Sequence, residues 1–449
     1  MIRLSQFVRS LLIDSIVLLL YTVSIMKNEM FEREWFRLDN AAKIYPAAKS
    51  SKWNAVFRMA AVMRDEVDPE LLQQALSDVI DRFPSLRVTL KKGFFWYYFQ
   101  YLTEPPKISE ESAYPCSMMP LTGRDYLFRV QYHSHRISIE VFHSLTDGTG
   151  CITFLKTLLL RYCELSGSTV ENVGDVLHYD DNPTPEEVED SFSRCIDKSK
   201  GTLGRTEPKA YQIKGQKEKR GILNVTHGSM PFEQLHAVSK KYGCTVNTYL
   251  VAVLTYALLR RERYEHKSKN PPIRVQVPIN LRKIFGSTTL RNFAGYYNTT
   301  LPFGDWSFED IIAELDKQLK ENITPEYCQK FINSNVSLEK NPIIRVAPRF
   351  LKSIIMDMSF YLVGESVMSC AFSNIGNVTM PEEIKDKIDR FEFVLGAQKY
   401  MCNSMTCASY NGKTLVTFSR SSKDPILERE FFNILTEHGI EITVESNRR

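Results

Sequence analysis

Apolar residues at Leu71, Leu72, Ala75, Leu76, Val79, Ile80 and Phe83 recur at helical spacing behind Asp68-Pro69, a residue pair suited to an N-cap and first turn. A helix is predicted there, closed by Phe83-Pro84. Strand patterns surround it at Trp53–Val62, Leu86–Leu90 and Phe94–Gln100, the last two joined by the basic turn Lys91-Lys92-Gly93. The aromatic run Phe94–Phe99 reads as a core strand, with a ligand wall as the alternative. Tyr126–Tyr132 and Arg136–Phe142 form another strand pair about His133-Ser134-His135. Because side chains alternate along a strand, Ile137, Ile139, Val141 and His143 share one face, so His143 leaves the sheet on its apolar side. Thr146-Asp147-Gly148-Thr149-Gly150 is then a glycine-bearing turn, and Ile152, Leu155, Leu158, Leu159 and Tyr162 make the stripe of an amphipathic helix.

The hydrophobic pattern lapses between about Gly174 and Arg220, where an acidic, proline-containing stretch at Asp180–Glu187 gives way to a basic one at Lys198–Arg220. This predicts a charged, solvated crossover over residues 176–220, with a site for a phosphorylated ligand as the alternative. A second mixed half follows, with helices around Phe232–Val238, Leu250–Leu258 and Phe308–Leu319. Its strands are read at Ile273–Pro278, Met368–Phe372, Phe391–Leu395, Met405–Tyr410 and Thr414–Ser419. Asn411-Gly412 marks the hairpin turn between the last two, Ser373–Asn377 reads as a polar turn, and a final helix opens at Asp424-Pro425 and runs to about Glu437. The expected organisation is an N-terminal lobe over residues 31–175, the crossover 176–220 and a C-terminal lobe over 221–449, both lobes mixing strands with helices as duplicated domains would.

A chain of 449 residues suits two or three domains at about 150 residues each, and 43% hydrophobic with 24% charged residues is an ordinary globular balance. A formal charge of +4, from 57 basic and 53 acidic side chains, offers no basis for nucleic-acid binding. The 9 scattered cysteines contain no Cys-x-x-Cys pair, which argues against a disulfide framework or zinc site and favours a reducing, cytoplasmic setting. Residues 1–30 carry Arg3 and Arg9 before an apolar run, Leu11–Ile25, that Asp14 interrupts. A start at Met26 or Met30 is the leading reading of this extension; membrane contact through residues 1–25 is the less favoured one, beside a packed helix.

Nucleotide-binding glycine loops, His-Glu-x-x-His and Gly-x-Ser-x-Gly are all missing from the sequence. What carries chemistry is His143 at a strand end with Asp147 four residues on. Three readings fit that pair: a satisfied core histidine beside a turn-forming aspartate, a metal site completed by His133 or His135, and acid–base catalysis by a neutral imidazole. The metal reading is the weakest, since His133 and His135 sit at the far end of the strand, and no metal is expected.

From about Trp35 onward the chain resembles the chloramphenicol acetyltransferase and condensation-domain superfamily, most closely its bacterial alcohol acetyltransferase-like members. The resemblance rests on His143-Ser144-Leu145-Thr146-Asp147-Gly148 as the His-x-x-x-Asp-Gly motif between a strand and a helix, and on the early helix ending in Phe83-Pro84-Ser85-Leu86-Arg87. Pro278-Ile279-Asn280-Leu281-Arg282 and Phe372-Ser373-Asn374-Ile375-Gly376, similar to the Ser-Asn turn of wax ester synthases, add to it. It implies an α/β fold of two similar lobes, each a mixed sheet flanked by helices, with a tunnel between them and His143 at its midpoint. It further implies that His143 deprotonates an alcohol or amine acceptor, which attacks an acyl thioester directly.

In that scheme Asp147 turns away from the substrate to pair with an arginine, for which Arg282 is the candidate by position, and Gly148 permits a sharp turn. Ser373 or Asn374 would face the oxyanion or cap a turn. Tyr296, Tyr297 and Asn298 would line the tunnel or pack in the core. No bound cofactor is implied; acyl-CoA or an acyl-carrier thioester is the co-substrate, with acetyl the leading acyl group. Phe142 stands where peptide-synthetase condensation domains carry a first histidine, and the Asp-Phe-Gly-Trp-Gly motif of plant enzymes is missing. A stand-alone acyltransferase is therefore favoured, with a catalytically silent binding or regulatory protein as the alternative.

Overall fold

The computed structural model describes residues 34–49, 53–204, 207–264, 271–341, 346–399 and 401–448, so the apolar run Leu11–Ile25 lies outside the described residues. Asp68 caps the helix Pro69–Val79, its carboxylate accepting from the Glu70 and Leu71 amides at 2.8 and 3.2 Å, while Leu72, Ala75, Leu76 and Val79 are buried. That face packs on the helix Gly148–Leu165 and is sealed by Phe83 edge-on to Phe154 with ring centres 5.0 Å apart.

Both helices cover a five-stranded sheet ordered Ile388–Leu395, Val56–Met63, Arg136–Phe142, Phe128–His133, Ser109–Glu110. Its first strand comes from the C-terminal half of the chain and pairs antiparallel with Val56–Met63. The two halves therefore interlock through backbone hydrogen bonds. Alternation along Arg136–Phe142 predicts one buried face, yet Ser138 and Glu140 on the other face are buried too. Glu140 is satisfied there by the Cys116 amide at 2.7 Å and by Arg129 and Arg58, the last held bidentate by Glu111 at 2.7 Å. A buried carboxylate so partnered replaces the solvent the strand pattern implied.

The second sheet has seven strands, ordered Ala294–Asn298, Val275–Asn280, Cys370–Asn377, Asn403–Tyr410, Lys413–Arg420, Asn224–Pro231, Thr443–Ser446. Cys370–Asn377 runs parallel to both neighbours and the remaining pairings are antiparallel. Leu250, Val253, Leu254, Ala257 and Leu258 of the helix Val246–Tyr264 are fully buried. An apolar helix of this kind belongs inside a core, here against the helices Phe308–Asn322 and Ile426–Glu437. Together these two sheets, a third of three strands ordered Trp35–Arg37, Tyr97–Tyr101, Val88–Lys92, and their flanking helices make the two-lobed α/β architecture expected from the sequence.

Three expectations change. Ser373–Asn377 is not a free turn: the strand continues through it, bulging between Asn374 and Asn377. The aromatic run near residue 95 is not all core, since Phe99 is 1% exposed but Phe94 and Phe95 are 74% and 47% exposed. The stretch around residues 185–200 is packed rather than solvated: Phe192 is fully buried and Glu187 grips Arg82 through two bonds of 2.6 and 2.8 Å. Helices Pro325–Lys340 and Arg349–Ser359 and the edge strand Thr443–Ser446 add elements beyond those read from periodicity.

The interlock has a close point at Gly396, just after the crossing strand, where an added Cβ would stand 2.2 Å from the Val56 carbonyl oxygen. Gly396→Ala is expected to lower stability by about 1–3 kcal/mol, read as a lower urea midpoint at unchanged m; an unchanged midpoint would contradict the close approach.

Candidate active site

The site is built where the strand Arg136–Phe142 ends. Phe142 is fully buried, and the His143 amide donates to the Ala55 carbonyl at 2.8 Å, which carries the chain out of the sheet. The Tyr45 ring stacks on the imidazole with centres 4.4 Å apart at 12°, and Phe57 meets it edge-on at 5.0 Å. Burial therefore lowers the His143 pKa below 6.5, outweighing the opposing pull of its own backbone, Asp147 and Asn292.

His143 Nδ1 lies 3.2 Å from Asn292 Oδ1. An amide oxygen only accepts, so Nδ1 carries the hydrogen and the Nε2 lone pair is left available. The amide's orientation follows from its other end, where Nδ2 donates to Asp39 Oδ2 at 3.3 Å and to the Ser144 carbonyl at 3.4 Å. Asp39 is fully buried, accepts from the Ala42 amide at 2.7 Å and lies 3.5 Å from Arg291 Nε. Its burial pushes the carboxyl up to about 6 against the pull of Arg291. Asn292, Asp39 and Tyr45 were not singled out as site residues from the sequence. The signal available for Asn292 was only its place in the polar-aromatic run that follows Arg282.

Asp147 has two tasks, both structural. Oδ1 accepts from the Thr149 and Gly150 amides at 3.1 and 3.2 Å, capping the helix Gly148–Leu165. Both oxygens also face Arg282, at 2.8 Å from Nη1 and 3.0 Å from Nη2, and Oδ2 takes the Phe293 amide at 2.9 Å. Arg282 spends its remaining donors on the carbonyls of Thr289, Arg291 and Phe293 at 2.7, 2.6 and 3.4 Å. All five guanidinium N–H groups are thus used in a pair that is 5% and 8% exposed.

Gly148 adopts helical backbone, outside the glycines with left-handed φ, and a Cβ there would make an ordinary 3.4 Å contact with Met59. The tight point falls instead at Gly150, whose Cβ would lie 2.1 Å from both the Leu290 carbonyl oxygen and Thr146 Oγ1. Ser373 stands on the strand Cys370–Asn377 opposite Thr406, and Asn374 is engaged with Asn247 at 3.3 Å and the Gly376 amide at 2.8 Å. The same strand brings Ile375 within 3.9 Å of where a Gly148 Cβ would be. Tyr296 and Tyr297 pack on Phe331 and Tyr327 of the helix Pro325–Lys340, while Asn298 donates to Glu207 of the crossover at 2.7 Å.

Neither a protein-family model nor a curated protein sequence matches the chain. Solved structures do. The chain is similar to polyketide synthase associated protein 5 from Mycobacterium tuberculosis, with TM-score 0.59 and 15% identity over 89% of this chain and 96% of that one. It is also similar to the wax ester synthase/diacylglycerol acyltransferase from Marinobacter aquaeolei VT8, with TM-score 0.54 and 14% identity over 90% and 100% of the two chains. A third likeness is to F. graminearum TRI101, solved with coenzyme A and T-2 mycotoxin, with TM-score 0.57 and 10% identity over 91% and 99%. The chain has the two-lobed fold of chloramphenicol acetyltransferase-like and condensation-domain proteins. An epimerization domain of tyrocidine synthetase B shares it, with TM-score 0.55 and 12% identity, so the fold alone does not fix the reaction.

Substituting Asp147→Asn leaves the Arg282 charge buried without its counter-ion and is expected to cost about 3–5 kcal/mol of stability, measured by chemical denaturation; full retention of stability would contradict the pairing.

Proposed function

We propose that the chain is an acyltransferase that moves an acyl group, acetyl in the simplest case, from a thioester to an alcohol or amine, with His143 as general base. The observation that carries this reading is the imidazole itself: its Nδ1 lies 3.2 Å from Asn292 Oδ1, which leaves the Nε2 lone pair available, and burial lowers its pKa. The strand Arg136–Phe142 of the five-stranded sheet leads into the base, and Asn292, its orienting amide, comes from the segment before the strand Ala294–Asn298 of the seven-stranded sheet.

In the proposed step Nε2 takes the acceptor's proton as the acceptor oxygen or nitrogen bonds to the thioester carbonyl carbon. The tetrahedral adduct collapses, the carbon–sulfur bond breaks, and the imidazolium returns the proton to the departing thiolate. A half-buried imidazole of lowered pKa suits this cycle, because its charged form is transient and Asp147 and Asn292 both favour it. Asp147 and Arg282 hold the loop in shape and do not exchange protons with substrate. With Asn374 committed to Asn247 and Gly376, Ser373 is the better of the two candidates for the oxyanion donor. The thioester is that of coenzyme A or of an acyl carrier. Coenzyme A is the ligand of the similar F. graminearum TRI101, and it is the first donor to try.

One observation favours a second reading, that of a catalytically silent binding protein. Tyr45 covers one face of the imidazole, Trp53 lies beside Tyr45 at 6.2 Å, and Phe360 stacks on Trp53 at 4.3 Å. A screen of acyl-CoAs against pooled alcohols and amines, read by thiol release, separates the two. Turnover is expected to fall by about 10²–10⁴-fold in His143→Ala with the fold intact. Undiminished turnover in that variant would remove His143 as base, and thiol release no higher in the wild type across the screen would favour the silent reading.

A further inference from the structure

The helix Arg349–Ser359 is amphipathic in the wrong sense for a soluble protein. Phe350, Ile354, Met358 and Leu362 recur every fourth residue, a spacing that stacks them along one side of a helical segment. They are 68%, 56%, 60% and 52% exposed. The only deeply buried side chain of the helix is Lys352, whose ammonium donates to the Phe95 carbonyl at 3.1 Å and lies 3.8 Å over the Trp96 ring. An ordinary surface helix turns its apolar stripe to the core and its lysines to water.

The hairpin tip that carries the exposed Phe94 and Phe95 is tied to the same helix. Arg349 donates through its backbone amide to the Phe94 carbonyl and through Nε to the Gly93 carbonyl, both at 3.1 Å. Helix and tip thus form one apolar surface with a cationic rim. Across residues 91–97 and 346–362 the basic side chains that are not deeply buried are Lys91, Lys92 and Arg349, against the single acid Asp357, which is itself paired with Lys399. Lys49 extends the rim, its pKa lowered by burial and then by Lys92, whereas Lys43 is paired with Glu339 at 2.5 Å.

Charge selects the occupant. A second copy docked about a two-fold axis would set this rim against itself, whereas an anionic bilayer complements the lysines and accepts the apolar stripe. Among the described residues no single helix is long and apolar enough to cross a membrane. Behind the stripe, Phe360 begins the ring column that passes through Trp53 and Tyr45 to His143.

We propose that the outward face of Phe350–Leu362, with Phe94 and Phe95, docks on an anionic lipid surface, and that the site at His143 takes a hydrophobic substrate dissolved in that surface. The second half rests on the acyltransferase reading; the docking does not.

The test is co-sedimentation of the full chain with phosphatidylcholine vesicles, with and without phosphatidylserine, beside the double variant Phe350→Glu/Ile354→Glu. Both positions are exposed, so thermal unfolding is expected to stay unchanged while the bound fraction on phosphatidylserine vesicles falls by about tenfold or more. Binding is also expected to weaken without phosphatidylserine and at high salt. Absence of wild-type binding would overturn the docking. So would binding unchanged in the variant, which would move the contact to another segment such as Leu11–Ile25, or a variant that only loses a dimer by sedimentation. Turnover of a short, water-soluble acceptor is expected to be equal in wild type and variant, and its absence from both would fail the acyltransferase reading alone. A long-chain acceptor carried in the vesicles should react about tenfold or more slowly with the variant; equal rates would overturn the substrate assignment.

Discussion

The structure of the site depends on the buried contact between Asp147 and Arg282. Removing two charges from water costs several kcal/mol per ion, and the pair recovers this only because its remaining hydrogen-bonding capacity is met. Here it is met from two directions. Asp147 caps the helix that follows the histidine loop, and Arg282 gathers the carbonyls of Thr289, Arg291 and Phe293 from the segment that leads into the strand Ala294–Asn298. One ion pair therefore fixes the loop of one lobe and the facing segment of the other. Its worth lies in geometry more than in net stabilisation, and the missing Cβ at Gly150 lets Leu290 come close enough to accept from Thr146 at 2.5 Å.

The segment held this way is the one that orients the imidazole. Asn292 lies one residue from Arg291, whose carbonyl Arg282 holds, and one from Phe293, whose amide Asp147 holds. Its side chain then runs between His143 and Asp39, with Arg291 beyond. The carboxylate nearest in sequence to the histidine is thus spent on shape, while the histidine's tautomer is set by an amide from the other lobe.

Much of this was legible in the sequence. Alternation along Arg136–Phe142 predicted the face on which His143 emerges, and the Asp68-Pro69 cap and the Asn411-Gly412 turn lie where the chemistry of those residues requires. The partnership of Asp147 with Arg282 followed from the family resemblance and from position. Other features were not legible because they depend on distant partners. Nothing local marks Ile388–Leu395 as a strand of the opposite lobe's sheet, since its register is set by Val56–Met63 more than three hundred residues earlier. The motif resemblance pointed to Gly148, whereas the close approach at Gly150 exists only once Leu290 is in place. Asp39 and Asn292 carry no motif of their own. Phe94, Phe95 and the stripe from Phe350 to Leu362 defeat the rule that apolar residues lie inside, which is why periodicity mistook the first two for core.

The central claim, that the half-buried imidazole of His143 is the base, is tested most directly by the pH dependence of kcat/KM for an acyl transfer the wild type supports. Burial lowers the His143 pKa, so the unprotonated form already prevails where an ordinary imidazole is still titrating. The account predicts a single rising limb with its midpoint below 6.5, a plateau through neutral pH, and loss of that limb in His143→Ala. A midpoint well above neutrality, or the same limb retained in His143→Ala, would contradict it.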